Sequence, residues 1–161
     1  MFDKIYGATQ RQDGLTKIGR NKYEAIYGFG KDTMGNYNWR EMFTKKPSVD
    51  TIRESIYQVI NDAVSEKILS GMTYNGNQVW LSAENQRNYQ IAAFRLKAGD
   101  ETILPVKVKM GTDASPVITE FATTADYLKF FNGISDHISD TVNAGWIEKT
   151  SVDWAVYETE E

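Results

Sequence analysis

The sequence predicts an α+β fold: three helices with two small antiparallel β-hairpins, preceded by a Gly- and aromatic-rich N-terminal arm. Three observations predict it. Apolar residues recur at helical spacing in three stretches between Ser48 and Gly145. Two short segments, around Asn75-Gly76 and between Thr102 and Phe121, read as paired strands. The first 46 residues hold neither period for long. The expected division is an interaction arm over residues 1–46 and a compact α+β domain over 47–161, ending in an aromatic tail. The boundary is placed near Lys45-Lys46-Pro47.

Residues 1–46 hold six of the twelve glycines and eight of the twenty aromatic residues. The glycines interrupt any element that starts. The segment is too aromatic for a disordered linker and lacks the aliphatic periodicity of a self-contained core. A protein-binding arm fits, because interfaces enrich aromatics and arginine. Its candidate contact residues are Tyr23, Tyr27, Phe29, Tyr37, Trp39 and Arg40. Trp154 and Tyr157 in the tail join them. The other reading of this segment is an irregular flap packed on its own domain. Gly28-Phe29-Gly30 is not a nucleotide loop: the G-x-G-x-x-G spacing and a following Lys-Ser/Thr are both missing.

The first helix is expected over 48–70. Pro47 is tolerated at a helix start, and Ser48 or Asp50 offers a cap. Ile52, Ile56, Val59, Ile60, Ala63, Val64 and Ile68 form its apolar stripe, and Gly71 ends it. Thr73-Tyr74 and Val79-Trp80-Leu81 flank Asn75-Gly76, a pair suited to a tight type I′ turn. Ser82 then caps the second helix, expected over 83–96, with Glu84 in its first turn. Tyr89, Ala92, Ala93 and Leu96 form one face. Ile91 and Phe94 widen it, so cover on more than one side is expected. Asn85, Gln86, Asn88 and Gln90 are amides that would bond the hairpin, a neighbouring subunit or solvent.

Leu104, Val106, Val108 and Met110 alternate with Lys107 and Lys109, which predicts a half-buried strand. Pro105 lacks an N–H and belongs at a strand start or on an edge. Val117–Phe121 returns as the second strand of the hairpin. The lysines on its exposed face discourage edge-to-edge aggregation. Thr123 with Asp126 resembles a capping box and opens the third helix, expected over 124–145. Leu128, Phe131, Ile134, Ile138 and Val142 are its stripe. Gly145 is read as its stop, and close packing is one explanation for Gly133 in its interior. The acidic end, Glu158, Glu160 and Glu161, is expected to fray.

Composition excludes several function classes. The chain has 161 residues, no cysteine and a formal net charge of −4. Disulfides, thiol nucleophiles and Cys-ligated zinc are excluded, and a reducing cytoplasm is the expected site of synthesis. The mild acidity argues against general nucleic-acid binding. No apolar run reaches the roughly 18–20 residues of a membrane span. MFDKIYGATQ holds no apolar signal core, so Sec-type export is not expected. The charge is uneven: residues 1–46 carry nine Lys/Arg against five Asp/Glu, and residues 47–161 carry nine against seventeen. That fits either acidic helix faces alone or a basic arm docking on an acidic body.

Catalytic chemistry has little to stand on. His137, the one histidine, lies beside Asp136 and Asp140, but no motif supplies a nucleophile. A metal site could use only oxygen ligands, and no EF-hand loop is present; Asp113 in GTDASP reads as a turn residue. No catalytic, cofactor-binding or metal-ligating residue is therefore assigned. Carboxylate pairs that meet only in the fold stay open.

The run ILSGMTYNGNQVWLSAENQRNY, Ile68 to Tyr89, resembles a group of small proteins of tailed phages and prophages of Bacteroides-type gut bacteria. IGRNKYEAIYGFGKD (Ile18–Asp32), LPVKVKMGTD (Leu104–Asp113) and AGWIEKTSVDW (Ala144–Trp154) are similar to the same group. The hairpin–helix passage also resembles a phage domain of unknown function found near tail-fibre genes. The resemblance brings no catalytic residues. It implies a virion, tail or fibre-associated structural protein, made in the host cytoplasm, that contacts other phage structural proteins and copies of itself. Two alternatives stand beside this expectation. One is a glycan- or host-surface-binding module using exposed aromatics. The other is a cytoplasmic effector that inhibits a host protein.

Overall fold

A computed structural model of the chain describes residues 1–158. Glu160 and Glu161, expected to fray, lie outside the described residues; the Glu158 N–H bonds the Ala155 carbonyl at 3.1 Å. The fold is α+β, with three helices, one four-stranded antiparallel sheet and two hairpins. It divides into two compact units. The first comprises residues 1–62 and 147–161, the second residues 63–146.

The first unit holds β1 (Asp3–Tyr6), β2 (Gly14–Gly19), β3 (Lys22–Asp32) and β4 (Gly35–Phe43), in the order β1-β4-β3-β2. This departs from the expected irregular arm: residues 1–46 are mostly strand. Period-2 alternation is present once the register is known. Tyr23, Ala25 and Tyr27 stand opposite Phe43, Glu41 and Trp39, so all six share one face. Lys4 and Tyr6 oppose Trp39 and Tyr37 and join that face. Leu15, Ala25 and Tyr27 are buried on it.

Gly28-Phe29-Gly30 is a β-bulge. Gly28 and Phe29 together face the single residue Asn38, between the pairs Tyr27–Trp39 and Gly30–Tyr37. Gly28 takes φ +67°, which a side chain would resist. The buried Asn38 amide donates to the Gly28 carbonyl at 2.5 Å and to the Gln10 carbonyl at 3.2 Å. The Gly28 N–H donates to Asp13 Oδ1 at 2.7 Å. Both main-chain groups of Gly28 are thus satisfied.

The expected boundary at residue 46/47 is not where the units part, because α1 (Val49–Leu69) begins in the first unit and ends in the second. Ser48 caps it, accepting from the Thr51 N–H at 3.1 Å. Its buried residues are Ile52, Ile56 and Ile60, and Gly71 follows it at φ +84°. The last helix, α3 (Thr124–Thr150), runs through the predicted stop at Gly145. Gly145 is buried, so it is a packing position within the helix and not a terminal one. A 3₁₀ turn at Trp154–Tyr157 closes the first unit: Tyr157 Oη donates to the Ile26 carbonyl at 2.8 Å.

In the second unit, β5 (Met72–Tyr74) and β6 (Asn77–Val79) form the first hairpin, with Asn75 and Gly76 both at positive φ as the I′ turn requires. α2 (Ala83–Lys97) starts at Ser82, whose hydroxyl accepts from the Asn85 N–H. β7 (Val106–Gly111) and β8 (Pro116–Phe121) form the second hairpin. Thr123 caps α3 by accepting from the Asp126 N–H, and its hydroxyl donates back to the Asp126 carboxylate. The core gathers Val79, Leu81, Tyr89, Met110, Phe121 and Phe130. Phe130 is its centre, with Phe121 stacked at 4.9 Å and Tyr74 and Tyr89 edge-on at 5.1 and 5.5 Å. A Cβ on Gly133 would sit 3.8 Å from Met72, an ordinary contact, so close packing does not account for that glycine. Ile91 and Phe94 are exposed, against the expected cover on that side of α2.

Candidate functional site

The first unit carries a cluster of rings and charges at the β1–β4 side of its sheet. Cross-strand pairing sets Tyr6 against Tyr37 and Lys4 against Trp39. Tyr37 is the hub. Tyr6 meets it edge-on at 6.0 Å, Trp39 at 5.7 Å, and the Lys4 ammonium stands 4.1 Å from its ring centroid. Beneath it lies Gly30, where an added Cβ would come within 2.5 Å of the Tyr37 ring. The glycine is a seat for the ring.

Asp32 ties the cluster to the β3–β4 turn. Its Oδ2 accepts from Lys4 Nζ at 2.8 Å and Tyr6 Oη at 3.1 Å, and its Oδ1 accepts from the Met34 N–H at 2.9 Å. The Lys4 bond and then the Met34 N–H hold the Asp32 carboxyl below the ordinary carboxylate range. The same bond raises Lys4 above the usual lysine value. Despite this internal bonding the patch is partly open to solvent: Tyr6 is 42% exposed, and Lys4, Tyr37 and Trp39 are half-buried. A surface so arranged offers rings and a cation in a fixed geometry. That suits contact with another macromolecule.

Of the eight contact residues expected from the sequence, Tyr37 and Trp39 fall in this cluster. Phe29 is exposed on the bulge. Tyr23 pairs with Phe43 at the other end of β3, and Arg40 lies on the opposite face, 3.6 Å from Glu24. Tyr27 and Tyr157 are not available to a partner, because both are 1% exposed. Tyr27 Oη donates to Glu148 Oε1 at 2.7 Å, and burial followed by that bond pushes its ionisation well above the usual tyrosine range. Burial does the same to Tyr157. Trp154 is half-buried against Tyr57 and Tyr157, with the Arg53 guanidinium 4.8 Å from its ring. Lys4, Tyr6 and Asp32 were missed. Alternation in DKIY was the available signal for the first two.

The remaining chemistry-bearing residues give no second centre. His137 is half-buried, and its Nε2 is enclosed without a hydrogen-bond partner. Among the described residues no group of three or more His, Asp or Glu side chains could hold a metal ion. No helix among them is long and apolar enough to cross a membrane. Two of the four α2 amides bond the chain before the helix: Asn85 donates to the Trp80 carbonyl at 3.1 Å and Gln86 to the Leu81 carbonyl at 2.7 Å. No family model, curated protein or solved structure matches the chain.

Proposed function

We propose that this chain is a non-enzymatic structural or assembly protein of a phage particle, a tail- or fibre-associated adaptor that works through protein–protein contacts. The observation that supports it is the Lys4–Tyr6–Tyr37–Trp39 cluster, half-buried with Tyr6 exposed, and held in place by Asp32 and Gly30 before any partner arrives. Pre-organised aromatic anchors reduce the ordering cost of association, and interfaces concentrate their binding energy in such residues. The phage setting rests on the sequence resemblance. The expected partners are other virion proteins and further copies of this chain, in keeping with the cyclic symmetry of many assemblies.

Mass spectrometry of purified particles, quantified against the major capsid protein, tests the proposal. It expects a fixed copy number in the particle, lost when Tyr37 and Trp39 are both replaced by Ser in a chain that still folds. Clear absence from particles, with expression in infected cells, would overturn it in favour of a host-directed effector. The glycan-binding alternative has less support. Asp32, the carboxylate beside the rings, is already engaged by Lys4, Tyr6 and Met34, where a sugar hydroxyl would need an acceptor.

A further inference from the structure

We infer that the outer edge of β7 in the second unit is a docking site for an extended peptide bearing acidic side chains, bound by strand addition. Thr112 and Ser115 exchange both main-chain hydrogen bonds, at 3.2 and 3.1 Å, just beyond the last paired residues. Antiparallel pairs alternate between bonded and non-bonded positions. Counting back along the register, Met110, Val108 and Val106 bond β8, while Gly111, Lys109 and Lys107 turn their N–H and C=O groups away from it. Pro116, which has no N–H, stands opposite Gly111 at a non-bonded position, as this phase requires. β8 is the only strand hydrogen-bonded to β7 among the described residues, and β6 packs alongside β7 without joining its ladder. The Gly111 carbonyl is taken by Trp80 Nε1 at 2.6 Å. Lys107 and Lys109 are left offering two N–H and two C=O groups at strand spacing.

Those groups look into a groove. One cavity of about 610 Å³ runs between α2 and β7, and a second of about 320 Å³ continues it. Both are lined by Asn88, Ala92, Val106 and Lys107, so they form one channel. Residues of both strand faces, Val106 and Val108 with Lys107 and Lys109, line it, so the channel follows the strand's edge. Trp80, 45% exposed, closes the Gly111 end. With the Gly111 end closed, the open part of β7, at roughly 3.3 Å per residue, admits a strand of about four residues.

Charge selects the occupant. The Lys107 and Lys109 side chains are 62% and 59% exposed, even though each already reaches a carboxylate of the hairpin, Glu120 and Asp113. Arg95, itself paired with Asp100 at 2.7 Å, adds a third cation to the lining, where Asp113 is the only acid. A second copy pairing symmetrically about Val108 would set Lys107 of one chain against Lys109 of the other, which like-charge repulsion disfavours. A strand with Glu or Asp at alternate positions would instead extend the existing lysine–carboxylate rows across a third strand. This mode of recognition takes affinity from main-chain bonds and selectivity from alternate side chains.

The test uses the full chain and two acetylated, amidated heptapeptides, Thr-Glu-Val-Glu-Val-Glu-Thr and the same peptide with Lys for Glu, titrated by amide NMR. The glutamate peptide should bind at least about tenfold more tightly than the lysine peptide. It should shift the Lys107 and Lys109 amides and slow their exchange with solvent. Lys109→Pro removes an N–H that the hairpin does not use, so the chain should keep its melting temperature and lose the peptide. The surface variant Lys107→Glu/Lys109→Glu decides the matter if the proline variant unfolds; it should reverse the peptide preference. Equal affinity for the two peptides, shifts confined to another surface, or undiminished binding by a folded Lys109→Pro chain would overturn the inference. So would a dimer in solution that pairs through β7.

Discussion

The sheet of the first unit and the hairpin–helix core of the second use comparable numbers of aromatic rings in opposite ways. In the second unit the rings face one another in a dry centre: Phe130 touches Phe121, Tyr74, Tyr89 and Tyr127. In the first unit they stand in a row along strands, seated over glycine and tied to charged groups and main-chain carbonyls. There Tyr37 lies on Gly30, Lys4 on Tyr37, and Tyr27 and Tyr157 reach Glu148 and the Ile26 carbonyl. The difference teaches where free energy resides. Buried area dominates the second unit. Polar satisfaction and ring-over-backbone contacts carry more of the first, and they leave Tyr6 and Phe29 exposed.

The largest expected effect lies in the second unit. Phe130→Ala leaves a cavity where four other rings meet it and should cost about 3–5 kcal/mol in urea unfolding. A loss below about 1 kcal/mol would mean that the ring cluster is not the unit's core. In the first unit the corresponding contact is Tyr37 on Gly30. Gly30→Ala should cost about 1–3 kcal/mol, because the new Cβ overlaps the ring. The double variant with Tyr37→Ala should recover part of that loss, a non-additivity that a double-mutant cycle measures directly. Additive losses would separate the two residues.

These two sites also show what was legible in the sequence. The second unit was readable because its signals are local: the Asn75-Gly76 turn and the Ser82 and Thr123 caps. Each depends on neighbours within a few residues. The first unit was misread because its glycines look like breakers. Gly28 makes a bulge and Gly30 seats a ring, and both roles depend on a strand about ten residues away. Gly145 misled in the same manner, since a buried helical glycine and a terminal one look alike in sequence. The candidate cluster was half legible. Tyr37 and Trp39 stood out as aromatics, whereas Lys4 and Asp32 gain their role only through pairing of β1 with β4 and the turn after β3.

A smaller effect sharpens the comparison. Tyr27→Phe keeps the buried ring and removes the bond to Glu148, for a loss of about 1–2 kcal/mol by thermal or chemical unfolding. In the parent chain, spectrophotometric titration should find Tyr27, Tyr127 and Tyr157 ionising only after the exposed tyrosines, since burial raises all three. Early ionisation of all nine tyrosines together would contradict their burial.

The smallest effect is the pH response of the cluster. Asp32 has its pKa lowered in the folded chain, by Lys4 first, so its contribution is complete above the ordinary carboxylate value of about 4. It disappears as pH falls through the lowered value. Lys4 has its pKa raised by the same bond, so its part is complete below about pH 10.4 and is lost as pH rises through the raised value. The difference in melting temperature between the parent and Asp32→Asn should therefore be constant near neutrality and vanish in acid. A difference that grows on acidification would reverse the assigned direction.

Hydrogen exchange of the isolated full chain, followed by mass spectrometry, tests most directly that residues 1–46 are a folded platform and not an arm awaiting a partner. The account predicts strong protection across β3 and β4, including peptides containing Tyr27 and Asn38, at a level comparable to α2. Exchange across 14–43 at the rate of an unstructured chain, with α2 still protected, would contradict it.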